Sequence, residues 1–275
     1  MYNMYSEEGY MKYVIVTGAT GGMGESTVNW LLNQNYHIIA IDKIINEYEN
    51  TNNVIPIKCD ITNPIDILNC YEEVQKITNK VYAIVHLAGI YLMDSLVEIE
   101  YEKIKKIFDV NFFGVYLLNK TFLPLLDKGS KIVTVTSELA PLDPLPFTGI
   151  YGITKSTLDK YCYSLRMELQ LLGIDVAVIR AGAVKTKMLK KSTDSLDQFT
   201  KNTRLYSCNA ERFKNIIDRV ETKSVEPIVI AKKISKILEC KNPRFAYKIN
   251  CNLYLKMLNI MPKRFQFWII RLLLK

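Results

Sequence analysis

The sequence predicts a single α/β domain, a doubly wound parallel sheet with helices on both faces, and three observations support this. Short runs of β-branched residues alternate with segments of helical periodicity along most of the 275 residues, a pattern typical of βαβ units. The runs are almost continuously apolar, as expected for strands buried on both faces. A cluster of glycines separates the first strand from the first helix, where a nucleotide-binding sheet needs a tight turn.

These patterns define the elements in chain order. Strands are predicted at 13–17, 38–41, 54–58 and 81–87, with helices at 23–32 and 65–77. A helical region at 101–126 leads to a strand at 131–136, a helix at 151–172 and a strand at 175–180. Right-handed crossovers then give the doubly wound sheet. A helix at 225–238 and a strand at 244–249 complete a domain that we place at residues 12–250.

Three segments fall outside this alternation. Residues 1–11 have no apolar core of a secretory signal, so we expect a flexible leader. Residues 185–223 are polar and too long for an ordinary connection, which favours a substrate-binding insertion or lid. Residues 251–275 interleave apolar side chains with lysine and arginine, and Pro262 divides them. This basic amphipathic tail could lie on an anionic membrane, cap the substrate pocket or pack against another subunit.

Composition limits the classes of function. The formal charge of +8 could reflect an acidic ligand, a membrane surface or nucleic acid, or merely lysine on solvated faces. The basic residues are dispersed without interleaved aromatic residues, so we expect no nucleic-acid partner. Six scattered cysteines and only two histidines offer no metal-ligand spacing, and no metal site is predicted. Reduced thiols favour a cytoplasmic location, with association at a membrane surface left open.

The glycine cluster suggests a site for a dinucleotide. Its form is Thr-Gly-x-x-x-Gly-x-Gly, and glycines between a strand and a helix let the backbone approach a pyrophosphate, whose charge the helix N-terminus meets. A flexible turn without a ligand is the alternative, but this position in a Rossmann-type fold favours cofactor binding. The residues predicted to bind the cofactor here are Thr17, Gly18, Thr20, Gly22, Met23 and Gly24.

The end of the second strand indicates which dinucleotide is preferred. Asp42 ends this strand, where a carboxylate can hydrogen-bond the adenosine ribose. It would repel a 2′-phosphate and therefore favours NAD over NADP. The neighbouring Lys43 keeps NADP as an alternative cofactor. The alternative to cofactor binding is that Asp42 merely ends the strand, with no role toward a ligand.

Tyr151 and Lys155 form a candidate acid/base pair. Their spacing places both side chains on one face of a predicted helix, and a nearby ammonium would lower the pKa of a tyrosine. The chain has two further Tyr-x-x-x-Lys pairs, beginning at Tyr101 and Tyr116, so the spacing alone does not select one. Only Tyr151 follows a serine, Ser137, at the end of a buried strand, where ligands bind in such sheets.

With these motifs, the chain resembles the short-chain dehydrogenase/reductase family from about residue 12 to 249, and most of all its retinol and 17β-hydroxysteroid dehydrogenase subgroup. The resemblance implies an oxidoreductase that moves a hydride between NAD(P) and a secondary alcohol or ketone. It also implies a homodimer or homotetramer. The further cofactor-binding residues that it suggests are Asp60, Ile61, Ala88, Gly89, Gly182, Val184 and Thr186, together with Tyr151 and Lys155.

The resemblance also gives each candidate catalytic residue a role. Tyr151 would be the general acid/base, and Lys155 would lower its pKa and hydrogen-bond the nicotinamide ribose. Ser137 would hold the substrate oxygen and stabilise its developing charge. Asn111 matches the helical asparagine of the family's proton relay, although a polar core residue that bends a helix would look the same.

The chain departs from the family pattern at two turns. The usual Asn-Asn-Ala-Gly after the fourth strand is His86-Leu87-Ala88-Gly89 here, which removes side-chain hydrogen bonds expected to steady the central strand. The usual Pro-Gly after the sixth strand is Ala181-Gly182, which should loosen the turn near the nicotinamide. Neither change removes a reacting group.

Apolar residues near these motifs suggest a bulky hydrophobic substrate, such as a steroid, a retinoid or another lipid alcohol. An equally good interpretation is that these residues pack in the core or between subunits. The residues concerned are Leu92, Met93, Leu139, Leu142, Leu145, Phe147, Met188 and Leu189.

Two other functions compete with this interpretation. A non-catalytic Rossmann protein that senses the NAD redox state would have no need of an acid/base pair. An epimerase or dehydratase on the same fold usually has a different glycine spacing and a larger C-terminal domain. We therefore predict an oxidoreductase.

Overall fold

Seven parallel strands form the centre of the structure. They are β1 (Tyr13–Thr17), β2 (His37–Asp42), β3 (Val54–Lys58), β4 (Val81–His86), β5 (Leu126–Val135), β6 (Asp175–Ala181) and β7 (Ala246–Ile249). Their order in the sheet is β3-β2-β1-β4-β5-β6-β7, so the winding reverses between β1 and β4. This confirms the predicted doubly wound sheet, and ligands bind beyond the carboxyl ends of the strands at such a reversal.

The computed structural model describes residues 11–45, 48, 51–221 and 223–275, without the side chains of residues 190–194, 220 and 221. The leader expected at residues 1–11 lies outside this range except for Met11. Between the strands lie α1 (Gly22–Leu32), α2 (Pro64–Ile77), α3 (Tyr101–Phe108), α4 (Gly114–Phe122), α5 (Gly149–Leu169), α6 (Lys187–Asn202), α7 (Ser207–Glu221) and α8 (Ile228–Glu239). Two helices, α9 (Leu253–Ile260) and α10 (Lys263–Leu274), follow β7.

Helices cover both faces of the sheet, as predicted. Alternate residues along each strand point to opposite faces, so Val14 and Val16 join the core under α1 and α8, with Val28 and Ile234. Ile15 points the other way, into the core under α2, α4 and α5. Burial on both faces explains why the strands are continuously apolar.

The long helical region expected at 101–126 is divided. A π-helical turn at Asp109–Phe113 separates α3 from α4, and a short 3-10 turn at Leu123–Leu125 ends the region. β5 begins at Leu126, earlier than predicted, because Leu126 pairs with Val81 before an irregularity in the register. The Ser130 hydroxyl supports this irregularity by donating to the Val81 carbonyl at 2.9 Å.

The polar segment at 185–223, predicted to be a substrate-binding insertion or lid, contains two helices, α6 and α7. Leu196, Phe199 and Phe213 from these helices are buried against Met93 and Phe147. The helical periodicity of this segment is weak in the sequence because only a few residues of each helix enter this small core. Among the helices that the structure describes, none has both the length and the apolar composition needed to span a bilayer.

Candidate active site

The glycine turn after β1 is packed too tightly for any side chain at two of its positions. Gly18 has a φ of +68°, and a Cβ there would lie 2.6 Å from the Ala88 nitrogen. A Cβ on Gly24 would lie 2.0 Å from the Gly18 carbonyl oxygen. Glycine is therefore required at both positions, and the turn is left with bare backbone at the N-terminus of α1.

A cleft of about 820 Å³ opens beside this turn. The predicted cofactor residues that line it are Gly18, Thr20, Gly22, Met23, Gly24, Asp42, Asp60, Ile61, Ala88, Gly89 and Thr186. Thr17, Gly182, Val184, Tyr151 and Lys155 do not line it. Of these five, Thr17 lies behind the turn, where its hydroxyl accepts from the Ala88 nitrogen at 3.4 Å.

Asp42 lies at the end of this cleft and is held by the glycine turn. One carboxylate oxygen accepts from the Thr20 nitrogen at 3.1 Å and from the Thr20 hydroxyl at 2.9 Å, and the other accepts from the Lys43 nitrogen at 2.7 Å. The Lys43 ammonium points to Asp60, with its Nζ 2.5 Å from a carboxylate oxygen. Partial burial opposes ionisation of Asp60, but hydrogen bonds from Lys43 and Thr62 lower its pKa overall.

Ser137 and Tyr151 meet on the other side of the sheet's carboxyl edge. Ser137 follows β5, Tyr151 lies in the first turns of α5, and both are buried. Burial raises the pKa of Tyr151 to about 12; a hydrogen bond with Ser137 opposes the rise, and the charge of Glu138 adds to it. The ring of Tyr91 packs on that of Tyr151, with ring centroids 4.1 Å apart.

Lys155 lies one helical turn after Tyr151 and is also buried. Its ammonium donates to the Val135 carbonyl at 3.3 Å and lies 5.9 Å from the centroid of the Tyr151 ring. Burial lowers the pKa of Lys155 to about 8. The expected lowering of the Tyr151 pKa is therefore not found: burial dominates the titration of both side chains.

Asn111 lies in the π-helical turn and reaches the same region. Its side chain accepts from the Ile90 nitrogen at 2.8 Å and donates to the Ile90 carbonyl at 2.9 Å and to the Thr154 hydroxyl at 3.2 Å. A Cβ added to Gly89 would lie 3.3 Å from the Asn111 side-chain oxygen and 3.4 Å from the Lys155 ammonium. Gly89 thus lies between these two groups and also lines the cleft.

A partly buried ion pair fixes the helix that carries Tyr151 and Lys155. Arg180 on β6 donates two hydrogen bonds to the carboxylate of Asp159 on α5, at 2.9 and 2.7 Å. The Thr136 hydroxyl also donates to this carboxylate, at 3.3 Å. A bidentate pair restrains orientation as well as distance, so α5 is held in register with the ends of β5 and β6.

The two departures from the family pattern are compensated within the fold. His86 is buried and hydrogen-bonds Asn119 of α4 at 2.8 Å, and burial lowers its pKa to about 4. A neutral imidazole therefore steadies the end of β4, where the sequence suggested that such bonds were lost. At the other turn, a Cβ on Gly182 would lie 2.0 Å from the Asn250 carbonyl oxygen, so close packing against the end of β7 holds this turn without proline.

Sequence reasoning missed Tyr91 and Glu138. Tyr91 follows the Ala-Gly turn by two residues, and Glu138 is adjacent to Ser137, so proximity to a motif was the only available signal. Glu138 is partly buried, which raises its pKa, and it accepts a hydrogen bond from the Asn252 nitrogen at 2.5 Å. It therefore joins the segment after Ser137 to the start of α9.

Four of the eight apolar residues proposed for the substrate pocket divide into two groups, and a fifth, Met188, lines the cleft beside the glycine turn. Met93 and Phe147 pack against α6 and α7. Phe147 has a φ of +63°, and the centroid of its ring lies 4.9 Å from that of Phe199. These two residues are core between the segment before Tyr151 and the α6–α7 unit. Leu92 and Leu139 pack against a small buried cluster that includes Tyr151, which leaves them near the candidate acid/base.

Fold and site together define the class as a Rossmann-type oxidoreductase that binds NAD(P). The model of the short chain dehydrogenase family matches residues 12–197. The chain therefore belongs to the short-chain dehydrogenase family.

Named relatives agree with this membership. A NADPH-dependent 1-acyldihydroxyacetone phosphate reductase of Schizosaccharomyces pombe is 26% identical over 191 residues, which cover 68% of this chain but only 64% of that protein. A 3-ketodihydrosphingosine reductase of Bacteroides thetaiotaomicron is 24% identical, over 86% of this chain and 87% of that protein. Estradiol 17-beta-dehydrogenase 2 of Mus musculus is 30% identical, over 70% of this chain and 55% of that protein.

Solved structures share the fold. The crystal structure of a 3-ketoacyl-(acyl-carrier-protein) reductase from Brucella melitensis, complexed with NADH, has a TM-score of 0.70 and 19% identity, and covers 86% of this chain and 96% of that chain. Within the part of the chain that the structure describes, no three His, Cys, Asp or Glu side chains form a group that could hold a metal ion.

Proposed function

We propose that the protein interconverts a secondary alcohol and a ketone on an apolar, lipid-like molecule, with NAD as the preferred cofactor and Tyr151 as the general acid/base. The observation that carries this proposal is the buried pair of Ser137 and Tyr151, which share a hydrogen bond. Lys155 and Asn111 lie next to it and reach Gly89, at the edge of the 820 Å³ cleft. A proton donor and a cleft for a dinucleotide thus meet at one edge of the sheet.

The cleft fits a dinucleotide. Gly18 and Gly24 leave bare backbone at the N-terminus of α1, where a pyrophosphate would be held. Asp60 and Ile61 would lie beside the adenine, and Lys155 would bond the nicotinamide ribose. When bound, the nicotinamide supplies or accepts the hydride.

The contacts of Asp42 support NAD over NADP. The carboxylate accepts three hydrogen bonds out of about four that two oxygens can accept, so capacity remains for a ribose hydroxyl. Its negative charge would repel a 2′-phosphate. The adjacent cation, Lys43, is already paired with Asp60, which weakens its ability to attract that phosphate. NADP remains the alternative.

The reacting side chains move one proton. In ketone reduction, Tyr151 donates its hydroxyl proton to the substrate oxygen as the carbonyl carbon gains the hydride, and the product is the alcohol. In alcohol oxidation, the Tyr151 phenolate takes that proton back as the carbon loses the hydride. The Ser137 hydroxyl holds the same oxygen. Since burial raises the pKa of Tyr151 to about 12, the residue is protonated at neutral pH, which is the form that ketone reduction requires.

The substrate class rests on two supports. Leu92 and Leu139 pack against the buried cluster that includes Tyr151, and an apolar pocket wall favours an apolar substrate. The names of the three relatives mention an acyl-dihydroxyacetone phosphate, a ketosphingoid and a steroid, and each of these combines a ketone or alcohol with a large apolar part.

The experiment is an absorbance assay at the NADH band with a panel of apolar carbonyl compounds (ketosteroids, 3-keto lipids, aliphatic ketones and the aldehyde retinal) and the matching alcohols. Tyr151→Phe removes only the reacting oxygen, and we expect kcat to fall by about 10²- to 10⁴-fold. Tyr101→Phe is the matched control, because Tyr101 begins another Tyr-x-x-x-Lys pair but is 70% exposed, and it should keep full activity.

Two results would contradict the proposal. Equal activity of wild type and Tyr151→Phe would remove Tyr151 from the chemistry. Binding of NADH without turnover of any ketone or alcohol in the panel would instead favour the redox-sensor alternative.

A further inference from the structure

The net charge of the protein is concentrated in its last 36 residues. Residues 240–275 contain eight lysines and arginines and no aspartate or glutamate. The whole chain has 36 basic and 28 acidic residues, so residues 1–239 carry 36 − 8 = 28 basic and 28 acidic side chains. The body of the protein is therefore neutral overall, and the formal charge of +8 belongs to residues 240–275, which include β7, α9 and α10.

The two terminal helices also expose large apolar side chains on one face each. On α9 the exposed residues are Leu253, Tyr254, Met257 and Ile260, and the spacing of Leu253, Met257 and Ile260 places them along one side of the helix. Ile260 is 85% exposed. A contiguous patch of exposed apolar side chains of this size is typical of an interaction surface.

On α10 the exposed face combines apolar and basic residues. Phe265, Trp268 and Leu272 form a stripe at helical spacing, and Arg264 and Arg271 lie beside it. Trp268 is 56% exposed, and its ring stacks on Phe265 with centroids 5.4 Å apart. An apolar stripe with a tryptophan and flanking arginines is the composition of a helix that lies in a membrane interface.

The opposite faces of these helices are held by the protein. Gln266 is buried and donates to the carbonyls of Asn259 and Met261, which fixes the turn between α9 and α10. The Asn209 amide of α7 donates to the Leu274 carbonyl at 2.6 Å, and Leu274 packs on the core of α6 and α7. The exposed stripe therefore belongs to a docked helix rather than to a free tail.

We propose that the exposed faces of α9 and α10 form a docking surface for an anionic lipid bilayer. Charge complementarity selects this partner, because basic side chains flank the apolar stripe while the rest of the protein is neutral overall. A second copy of the chain fits less well, since a two-fold contact would bring the same arginines together. The inward faces already contact the protein, so the outward faces remain for the bilayer.

The position of this docking surface gives it a consequence for the site. Asn252, the residue before α9, donates from its nitrogen to Glu138, which is next to Ser137. The start of α10 is tied to the segment before Tyr151 by an ion pair between Lys263 and Asp143. The bilayer would thus lie beside the segments that border Tyr151, so apolar molecules could reach the site from the membrane. The docking itself is independent of the proposed reaction.

Vesicle cosedimentation tests the proposal without any turnover. The full chain should bind vesicles of mixed phosphatidylcholine and phosphatidylglycerol at low salt, bind pure phosphatidylcholine weakly, and lose binding as salt rises. Arg264→Gln/Arg271→Gln should reduce binding by roughly 25-fold, because each basic residue near an anionic surface contributes about fivefold. Lys241→Gln/Arg244→Gln removes the same charge from exposed residues outside the two helices and should change binding by less than about twofold.

Fluorescence gives a second readout that needs no change to the docking surface. The chain has two tryptophans, so a Trp30→Phe protein reports Trp268 alone, and its emission should shift to shorter wavelength with anionic vesicles. Absence of both the shift and the sedimentation at low salt would overturn the proposal. It would also be overturned if Phe265→Ser/Trp268→Ser dissociated an oligomer in light scattering while vesicle binding stayed unchanged, since the surface would then be a subunit interface.

Discussion

The two sides of the sheet's carboxyl edge differ in the groups that form the site: main-chain atoms on one side and side chains on the other. On the side of β1 and β2 the cleft is shaped by backbone, because Gly18 and Gly24 approach other main-chain atoms too closely for a Cβ. On the side of β5 and β6 the site is built from side chains, since Ser137, Tyr151 and Lys155 are all buried. A phosphate needs only N–H groups and space, whereas a proton transfer needs a titratable group at a defined place.

This difference decides how each side responds to substitution. Backbone geometry tolerates no added atom, so substitution there costs stability and cofactor binding together. Of the three side chains, Lys155 already costs stability at neutral pH, because burial opposes its charged form. Substitution of Lys155 should remove activity while the fold becomes more stable.

The largest expected effect in this comparison is that of Gly24→Ala. Its methyl group would lie 2.0 Å from the Gly18 carbonyl oxygen. Because that oxygen belongs to the main chain, the clash cannot be relieved by rotating a side chain. We expect a loss of about 3 kcal/mol in the free energy of unfolding and no measurable NADH binding. Denaturant unfolding and NADH fluorescence titration measure the two quantities.

Gly152→Ala is the matched control on the other side. Gly152 lies next to Tyr151 in α5, and its Cβ would meet only the Pro144 Cβ, at 3.8 Å, an ordinary contact. Alanine should therefore stabilise the helix by up to about 1 kcal/mol and leave NADH binding unchanged. If both substitutions behaved alike, the tight packing of the glycine turn would not be what matters.

The next effect is the stability gained by removing Lys155. Its pKa falls from 10.5 to about 8, a shift that corresponds to at most about 3 kcal/mol. Below pH 8 the lysine is charged in both folded and unfolded chains, and the full cost is present. Between pH 8 and 10.5 the unfolded chain holds more protons, so the wild type gains stability as pH rises.

Lys155→Met should therefore unfold at higher denaturant concentration than the wild type at pH 7, by about 1–3 kcal/mol, while its activity is lost. The advantage should shrink as pH is raised above 8. Lys160→Met, at an exposed position of the same helix, should show neither the gain nor its pH dependence. A destabilised Lys155→Met at pH 7 would mean that its bond to Val135 outweighs the cost of burial.

The same contrast explains what the sequence could and could not predict. The strands, the glycine turn and the position of Asp42 follow from local patterns, and the structure has them where expected apart from the earlier start of β5. The π-helical turn at Asn111 and the partner of His86 depend on packing between distant elements, which no local pattern encodes. The raised pKa of Tyr151 depends on burial in the same way. The roles of the catalytic residues and the oligomeric state stay predictions.

The smallest expected effect concerns the choice between NADH and NADPH. It involves Asp42, at the end of β2, on the side of the sheet where backbone shapes the cleft. Asp42→Asn keeps the shape of the side chain and removes the charge that opposes a 2′-phosphate. We expect the ratio of kcat/KM for NADH to that for NADPH to fall by about 10- to 100-fold, equivalent to about 1.4–2.8 kcal/mol. Asp127→Asn, an exposed position on β5, should leave the ratio unchanged.

The effect should be moderate because Asp42 is part of the turn as well as a charge. Asparagine can still accept through its single carbonyl oxygen, but it cannot accept from both the Thr20 nitrogen and the Lys43 nitrogen through two oxygens, as the carboxylate does. Both cofactors should therefore bind somewhat less well, and only their ratio isolates the charge. A ratio that stayed constant while both values fell would mean that Asp42 holds the turn and does not select the cofactor.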